Sequence, residues 1–275
     1  MIPILLCTDL DRTLIPNGDA LESAGARALF HRLACRPEVR LVYVSGRDQN
    51  LIEQAINEYD LPVPDDVIAD VGATICDIKN GLWNRSQAWD DEIEPDWKNL
   101  RPADLQEALA DLNALQLQGP EKQGRFKLSY YTPVTWNKPA ARASVEMRLK
   151  ALKVKANLIW SIDDAKGVGL LDILPASANK RHAIEFLAAR FGFALRDMLF
   201  AGDSGNDLDV LTSPVPSVLV ANASDEVRRD ALGLDGDLYL AQGGYLGMNG
   251  NYSAGILEGL IHYHPRYDRW LREQL

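Results

Sequence analysis

The sequence predicts an α/β fold in which a parallel β-sheet is covered by helices on both faces and a smaller α+β segment is inserted. Apolar strands such as Ile4–Asp9 alternate with predicted helices such as Gln49–Tyr59. Near-continuous apolar strands separated by helices are typical of parallel sheets that are buried on both faces. Because this rhythm changes in the middle, we expect a core domain from residues 1–81 and 170–275 and an inserted domain from residues 82–169.

The remaining elements are predicted from segment length: short apolar runs indicate strands, and longer segments between them indicate helices. The later core strands are expected at Val39–Val44, Val67–Ala69, Thr74–Cys76, Met198–Ala201 and Ser217–Val220. The core helices are expected at Ala20–Leu33, Gln49–Tyr59, Lys180–Phe191, Leu208–Leu211, Asp225–Leu232 and Ser253–Tyr263. In the insertion, helices are expected at Pro102–Leu115 and Pro139–Leu152, and strands at Phe126–Tyr131 and Val154–Trp160. Strand and helix do not alternate regularly there, which separates the insertion from the core.

Two aspartates, Asp9 and Asp11, follow the first apolar strand. Residues i and i+2 leave a strand on the same side, so both carboxylates can face one site. Two carboxylates this close repel unless a cation lies between them or one takes a proton, and Mg²⁺ is a cation that prefers oxygen ligands. One aspartate can then act as a nucleophile while the other transfers protons, as in enzymes that form an aspartyl-phosphate.

Three further segments place polar side chains near the ends of other predicted elements. The segment Gly202–Asp207 follows an apolar strand with two more acids, Asp203 and Asp207, which can complete an oxygen cage. The strand that ends at Val44 runs into Ser45-Gly46-Arg47, where a hydroxyl and exposed N–H groups before a helix suit a phosphate oxygen. Lys180 opens a helix after the apolar run that ends at Pro175. Ligands of such sheets bind beyond the carboxyl ends of the strands.

Composition excludes several classes of partner. The formal net charge of −10 argues against nucleic acid and against an anionic membrane, since both require a basic surface. No apolar run reaches the roughly 18 residues of a membrane span. The three cysteines, Cys7, Cys35 and Cys76, lack metal-ligand spacing and are expected to be buried free thiols, which suits the cytoplasm.

The motifs, in this order, resemble those of the haloacid dehalogenase superfamily, whose members are mostly phosphatases. The four motifs are Asp9, Asp11 and Thr13; Ser45; Lys180; and Gly202–Asp207. Other segments are similar to the sucrose-6-phosphate phosphatase branch, namely Val71–Ile75, Phe126–Tyr131, Asp172–Pro175, Ala221–Ala223 and Ser253–Glu258. The resemblance implies a Rossmann-like core and a type C2 cap domain inserted between motifs two and three.

The same resemblance implies the roles of the catalytic residues. Asp9 would attack phosphorus, and Asp11 would protonate the leaving oxygen and then deprotonate water. Thr13 completes the catalytic set, and Ser45 and Lys180 would stabilise charge on the phosphate oxygens. Mg²⁺ would be held by Asp9, the main-chain carbonyl of Asp11, Asp203 and Asp207.

Substrate binding is expected to combine core and cap residues. Gly46, Arg47 and Asn206 are candidates beside the phosphate, although Arg47 can instead start a helix and pair locally. Lys127, Tyr130 and Gln123 are the candidates for contact with the sugar, because specificity for a sugar requires polar cap residues. The expected partner is a small-molecule sugar phosphate, most simply sucrose-6-phosphate, and a sugar-phosphate synthase is a candidate protein partner.

Three other functions are alternatives to a sucrose-6-phosphate phosphatase. The motifs act on the phosphate, so another phosphatase of the branch, for mannosylfructose-phosphate or glucosylglycerol-phosphate, is compatible with them. A signalling receiver domain also uses acids, a hydroxyl and a lysine, but Asp11 would remove the phosphate that a receiver stores. A non-catalytic domain that binds a glycosyltransferase is disfavoured because every motif residue is intact.

Overall fold

The computed structural model describes residues 3–136, 138–163, 166–232 and 236–275. The chain divides into two compact units. The larger unit combines Met1–Arg85 with Ala183–Leu275, and the smaller unit is Ser86–His182.

The elements are numbered in chain order. The first part of the larger unit contains β1 (Ile4–Thr8), α1 (Ala26–Ala34), β2 (Val39–Val44), α2 (Gln49–Glu58), β3 (Asp66–Ala69), β4 (Thr74–Lys79) and β5 (Leu82–Arg85). The smaller unit contains α3 (Gln87–Ile93), α4 (Pro102–Ala108), β6 (Gln116–Leu117), β7 (Leu128–Thr132), α5 (Lys138–Ala151), β8 (Ala156–Asp163) and β9 (Val168–Pro175). The helix α6 (Lys180–Phe191) leads back to β10 (Met198–Gly202), α7 (Leu208–Leu211), β11 (Ser217–Leu219), α8 (Asp225–Leu232), β12 (Leu238–Leu240), α9 (Ser253–Tyr263) and α10 (Asp268–Arg272).

The larger unit is built on one sheet, which within the described ranges has eight strands in the order β12-β11-β10-β1-β2-β3-β4-β5. Neighbours from β12 to β3 are parallel, and β4 and β5 add an antiparallel hairpin at one edge. The central strand β1 is buried along its whole length. A strand with helices on both faces has no solvent face, which explains its continuous apolar sequence. The predicted α/β class is therefore confirmed.

The smaller unit contains a second sheet in the order β6-β7-β9-β8, antiparallel throughout its described strands. The apolar run Leu171–Pro175, which we expected in the core, belongs to this sheet. It forms most of β9, where Ile173 pairs with Leu128 of β7 and with Leu158 of β8. An apolar run signals burial in a sheet but does not specify which one, so the second boundary, expected at 169, lies after His182. The first boundary, expected at 82, lies after Arg85 because β5 pairs with β4 in the larger sheet.

Two predicted helices are shorter in the structure. The helix expected from Ala20 begins only at Ala26, because Gly25 takes a left-handed conformation with φ 76° directly before it. The helix expected to reach Leu115 ends at Ala108, and the chain continues in tight turns such as the hydrogen bond from Leu115 N to Leu112 O. Among the described residues, no helix combines the length and the apolar character required to cross a membrane.

Candidate active site

The first two acids lie at the carboxyl end of β1. The N–H of Asp9 donates to Ala201 O of β10 at 2.9 Å, which ties the end of β1 to the neighbouring strand. The chain then turns sharply, with the N–H groups of Thr13 and Leu14 donating to Leu10 O at 3.2 and 3.0 Å. Asp9 is buried at the bottom of this turn, whereas the side chain of Asp11 is 41% exposed. The two carboxylates therefore have different surroundings, which suits a nucleophile and a proton-transfer group.

Three buried aspartates form an acidic cluster, which we define as Asp9, Asp203 and Asp207. Each offers a carboxylate oxygen, and these oxygens lie within 4.8 Å of one another. Three adjacent carboxylates repel unless a cation shares them, and an all-oxygen ligand set suits a hard divalent ion. The predicted donors Asp9, Asp203 and Asp207 thus fit Mg²⁺.

Local geometry of motif four orients Asp207. Its Oδ2 accepts hydrogen bonds from the N–H groups of Asp203 and Ser204 at 3.1 and 3.2 Å and from Ser204 Oγ at 3.2 Å. A Cβ atom at Gly202 would lie 2.7 Å from Asp207 Cγ, so only glycine leaves room for this carboxyl group. The glycine of the motif is therefore a packing requirement of the acidic cluster.

The carboxylate of Asp11 is paired with Arg47. The guanidinium donates from Nη2 to Oδ1 at 2.6 Å and from Nε to Oδ2 at 2.9 Å, and Asn17 Nδ2 donates to Oδ1 at 2.7 Å. These hydrogen bonds to Asp11 are the largest cause that raises the pKa of Arg47, so the arginine keeps its charge. The structure thus joins Arg47 to the second aspartate of motif one, 36 residues away. The expected local contact is also present, since Nη1 of Arg47 donates to Leu51 O at 3.2 Å.

Gly46 and Arg47, which follow Ser45, line a cavity beside Asp11. Ser45 is buried, and its Oγ accepts a hydrogen bond from the N–H of Arg47 at 3.2 Å. Asn206, on the other side, accepts from Ser204 Oγ at 2.8 Å. The cavity, of about 300 Å³, lies between these segments, and it is lined by Asp9, Asp11, Arg12, Gly46, Arg47, Leu51, Asp203, Ser204 and Asn206. The cavity therefore brings Asp9 and Asp11 of motif one and Asp203 and Asn206 of motif four together with Gly46 and Arg47, which follow the serine of motif two.

Two residues of motif one contact Asp203. Thr13 Oγ1 donates to Asp203 Oδ1 at 3.2 Å, and Arg12 Nε lies 3.1 Å from Asp203 Oδ2. Thr13 was expected in the site from the motif. Arg12 was not, since nothing in its position within the motif distinguishes it from a solvated charge.

Asn222 contacts the turn that carries Arg12. Its Nδ2 donates to Arg12 O at 2.6 Å, and its Oδ1 accepts from Tyr252 N at 2.9 Å. It therefore joins the turn after β1 to the loop before α9. The sequence placed Asn222 after a strand without assigning it a role.

The remaining predicted residues lie in the smaller unit. Lys180 is buried and is the first residue of α6, and Lys127 and Tyr130 are also buried. Burial raises the pKa of Tyr130 to about 12, so its hydroxyl stays neutral. The side-chain amide of Gln123 hydrogen-bonds within the smaller unit, since it donates to Gln118 O and Ser129 O, each at 3.0 Å. Contacts of these four residues with a substrate stay predictions.

The thiols and a second groove lie outside the cavity of the acidic cluster. Burial raises the pKa of the Cys7 thiol, which removes it as a nucleophile beside Asp9. Cys76 is buried as expected, but Cys35 is exposed because it follows the last turn of α1 at the surface. A larger groove of about 490 Å³ runs along α1, and its arginine, Arg27, already binds Glu22 and Tyr59 O.

The chain matches a family model and is similar to proteins of known name. The model described as sucrose-6F-phosphate phosphohydrolase matches residues 2–264. A HAD-like hydrolase from Nitrosococcus oceani is 50% identical over 98% of this chain and 74% of its own length. A mannosylfructose-phosphate phosphatase from Agrobacterium fabrum is 27% identical over 94% of this chain and 96% of its own length.

Solved structures agree in fold. The sucrose-phosphatase from Synechocystis, solved in complex with sucrose and phosphate, superposes with a TM-score of 0.73 and 24% identity. The alignment covers 96% of this chain and 98% of that one. At this level of identity the likeness shows the fold, including the inserted cap domain.

Proposed function

Because the chain belongs to the sucrose-6F-phosphate phosphohydrolase family, and is thus a phosphoric monoester hydrolase, we propose that it hydrolyses sucrose-6-phosphate with the help of Mg²⁺ through an aspartyl-phosphate on Asp9. The observation that carries this proposal is the acidic cluster of Asp9, Asp203 and Asp207 at the carboxyl ends of β1 and β10. A nucleophilic carboxylate held among other carboxylates needs a cation, and a phosphate ester brings further negative charge to the same place.

The first half of the reaction transfers the phosphoryl group to the protein. A carboxylate oxygen of Asp9 attacks phosphorus, a new P–O bond forms, and the P–O bond to the sugar breaks. Asp11 gives its proton to the departing sugar oxygen, which leaves as a hydroxyl group. Mg²⁺, bound by Asp9, Asp203 and Asp207 together with the carbonyl of Asp11, would offset the negative charge of the carboxylates and the phosphate.

The second half returns the protein to its starting state. The Asp11 carboxylate takes a proton from water, the water oxygen bonds to phosphorus, and the bond between phosphorus and Asp9 breaks. The two hydrogen bonds that Arg47 donates to Asp11 hold its carboxylate in one orientation for this proton transfer. Ser45, whose Oγ accepts from Arg47 N, has a hydroxyl proton to donate to a phosphate oxygen.

Choice of sugar is proposed to reside in the smaller unit. Lys127 and Tyr130 are buried polar side chains of that unit, and Lys180 lies at the start of α6. A site built to bond hydroxyl groups rejects ligands that lack them, because its own polar groups then stay unpaired. The Agrobacterium relative named for mannosylfructose-phosphate makes that disaccharide phosphate the second candidate.

A substrate panel tests the choice of sugar. We expect kcat/KM for sucrose-6-phosphate to exceed that for glucose-6-phosphate and fructose-6-phosphate by at least about tenfold, which corresponds to about 1.4 kcal/mol of differential transition-state binding. Lys127→Ala should reduce this ratio more than it slows hydrolysis of 4-nitrophenyl phosphate. The assay is phosphate release in Mg²⁺, with EDTA as the control for metal dependence.

The panel also includes mannosylfructose-phosphate and glucosylglycerol-phosphate. A higher kcat/KM for either would replace sucrose-6-phosphate as the substrate but keep the mechanism. Equal rates on mono- and disaccharide phosphates would remove the disaccharide claim. No activity on any phosphate ester in Mg²⁺ would contradict the whole proposal.

We further propose a cytoplasmic location and a partner enzyme. Cys7 and Cys35 are free thiols, which suits a reducing compartment. A glycosyl transfer onto a sugar phosphate yields the phosphorylated disaccharide that this site would hydrolyse, so a sugar-phosphate synthase is the candidate partner.

A further inference from the structure

Arg12 is held in an unusual conformation in the middle of motif one. Its φ is 55°, in the left-handed region that is unfavourable for residues with a Cβ atom. Two hydrogen bonds maintain this conformation. The Arg12 N–H donates to Asn17 Oδ1 at 2.8 Å, and Asn222 Nδ2 donates to Arg12 O at 2.6 Å. The main chain of Arg12 is therefore fixed from both sides, which sets the direction of its Cα–Cβ bond.

The guanidinium of Arg12 contacts the acidic cluster. Its Nε lies 3.1 Å from Oδ2 of Asp203, whose side chain is only 3% exposed, while the Arg12 side chain is 56% exposed. The ion pair thus joins a buried carboxylate to an arginine that water can reach. Because the other oxygen of Asp203 accepts from Thr13 Oγ1, both oxygens of this carboxylate are engaged.

We propose that Arg12 is a competitor of the divalent cation for Asp203. The guanidinium pairs with the carboxylate while no metal is bound, and metal binding displaces it toward the solvent. This inference rests on the proposed function, since it requires the acidic cluster to be the metal site. Two effects act in the same direction: the Arg12–Asp203 pair must break, and a positive charge close to the cluster repels a cation. Arg12 therefore lowers the metal affinity below that of the three carboxylates alone.

Direct metal binding tests the proposal without any measurement of turnover. The probe is Mn²⁺, which is added to a solution of the full chain. Electron paramagnetic resonance measures how much Mn²⁺ stays free in solution. The variant Arg12→Asn removes the charge, and asparagine tolerates the left-handed conformation, so the turn is retained. We expect Arg12→Asn to bind Mn²⁺ about three to ten times more tightly than the wild type, since exposed ion pairs are weak.

Three matched variants separate this effect from others. Arg12→Lys keeps the charge and should bind within about twofold of the wild type. Arg47→Gln removes a neighbouring charge that pairs with Asp11, so it should tighten Mn²⁺ binding less than Arg12→Asn does. Asp203→Asn should weaken binding. Thermal melting of each variant checks that the fold is intact, and Arg12→Gly replaces Arg12→Asn if that variant is unfolded.

Mn²⁺ binding by the wild type distinguishes failure of this inference from failure of the proposed function. If the wild type binds Mn²⁺ and Arg12→Asn binds it equally or more weakly, Arg12 is not a competitor. If Arg47→Gln tightens binding as much as Arg12→Asn, the specific pair with Asp203 is not the cause. If Arg12→Lys does so, the positive charge at this position is not the cause. Either result overturns the proposal. If the wild type binds no Mn²⁺, the metal assignment itself is wrong and this inference is overturned with it.

Discussion

Asp9→Asn is expected to lower kcat for every phosphate ester by at least about three orders of magnitude, because an amide cannot act as the nucleophile. The side chain is buried in the acidic cluster, and asparagine has nearly the same shape, so the fold should be retained. The measurement is phosphate release under saturating substrate, together with the thermal melting temperature.

Deamidation is the main artefact of that experiment, since it regenerates aspartate. Mass spectrometry of the Asp9→Asn chain after the assay therefore belongs with the rate measurement, and Asp9→Ala is the second variant. Activity of either variant above a small fraction of the wild type, with residue 9 intact, would remove Asp9 from the role of nucleophile.

Asp11→Asn is expected to lower kcat for sugar phosphates by about 10²- to 10⁴-fold, the usual contribution of a general acid or base. The loss in phosphoryl transfer to Asp9 should be smaller for 4-nitrophenyl phosphate, because a nitrophenolate leaves without a proton. Arg47, which pairs with Asp11, loses its charged partner in this variant, so a thermal melt is the control for folding.

Metal binding by the same variant separates the two acids. The Asp11 carboxylate is paired with Arg47 and Asn17 and is not a member of the acidic cluster, so Mn²⁺ affinity should change little. A large loss of Mn²⁺ binding in Asp11→Asn would mean that the side chain is itself a ligand, and the division of labour between Asp9 and Asp11 would be wrong.

The core of the site could be predicted from the sequence because its residues follow strands. Asp9, Ser45 and Asp203 come directly after β1, β2 and β10, and these strands are parallel neighbours. In a parallel sheet the carboxyl ends of the strands lie at one edge, so residues far apart in sequence meet there. The positions of the strands in the sequence therefore predict which polar residues lie close together.

The contacts that orient the acids could not be predicted in this way. Arg47 pairs with Asp11 across 36 residues, and Asn222 reaches Arg12 across 210. Such pairs depend on where loops leave the sheet, and a single arginine or asparagine in a loop has no periodicity that reveals its partner. The same reason explains the misplacement of Leu171–Pro175, whose partners β7 and β8 are visible only in the folded smaller unit.

The most direct measurement is to identify the residue that carries the phosphoryl group. The Asp11→Asn chain, in which hydrolysis of an aspartyl-phosphate should be slow, is mixed with 4-nitrophenyl phosphate and Mg²⁺, quenched in acid and digested for mass spectrometry. The account predicts a phosphoryl group on Asp9, in the peptide that begins the chain, and none when Asp9 is also replaced by asparagine. A burst of nitrophenol with the phosphoryl group on another residue, or phosphate release by the wild type with no trapped phosphoryl group in any variant, would contradict it.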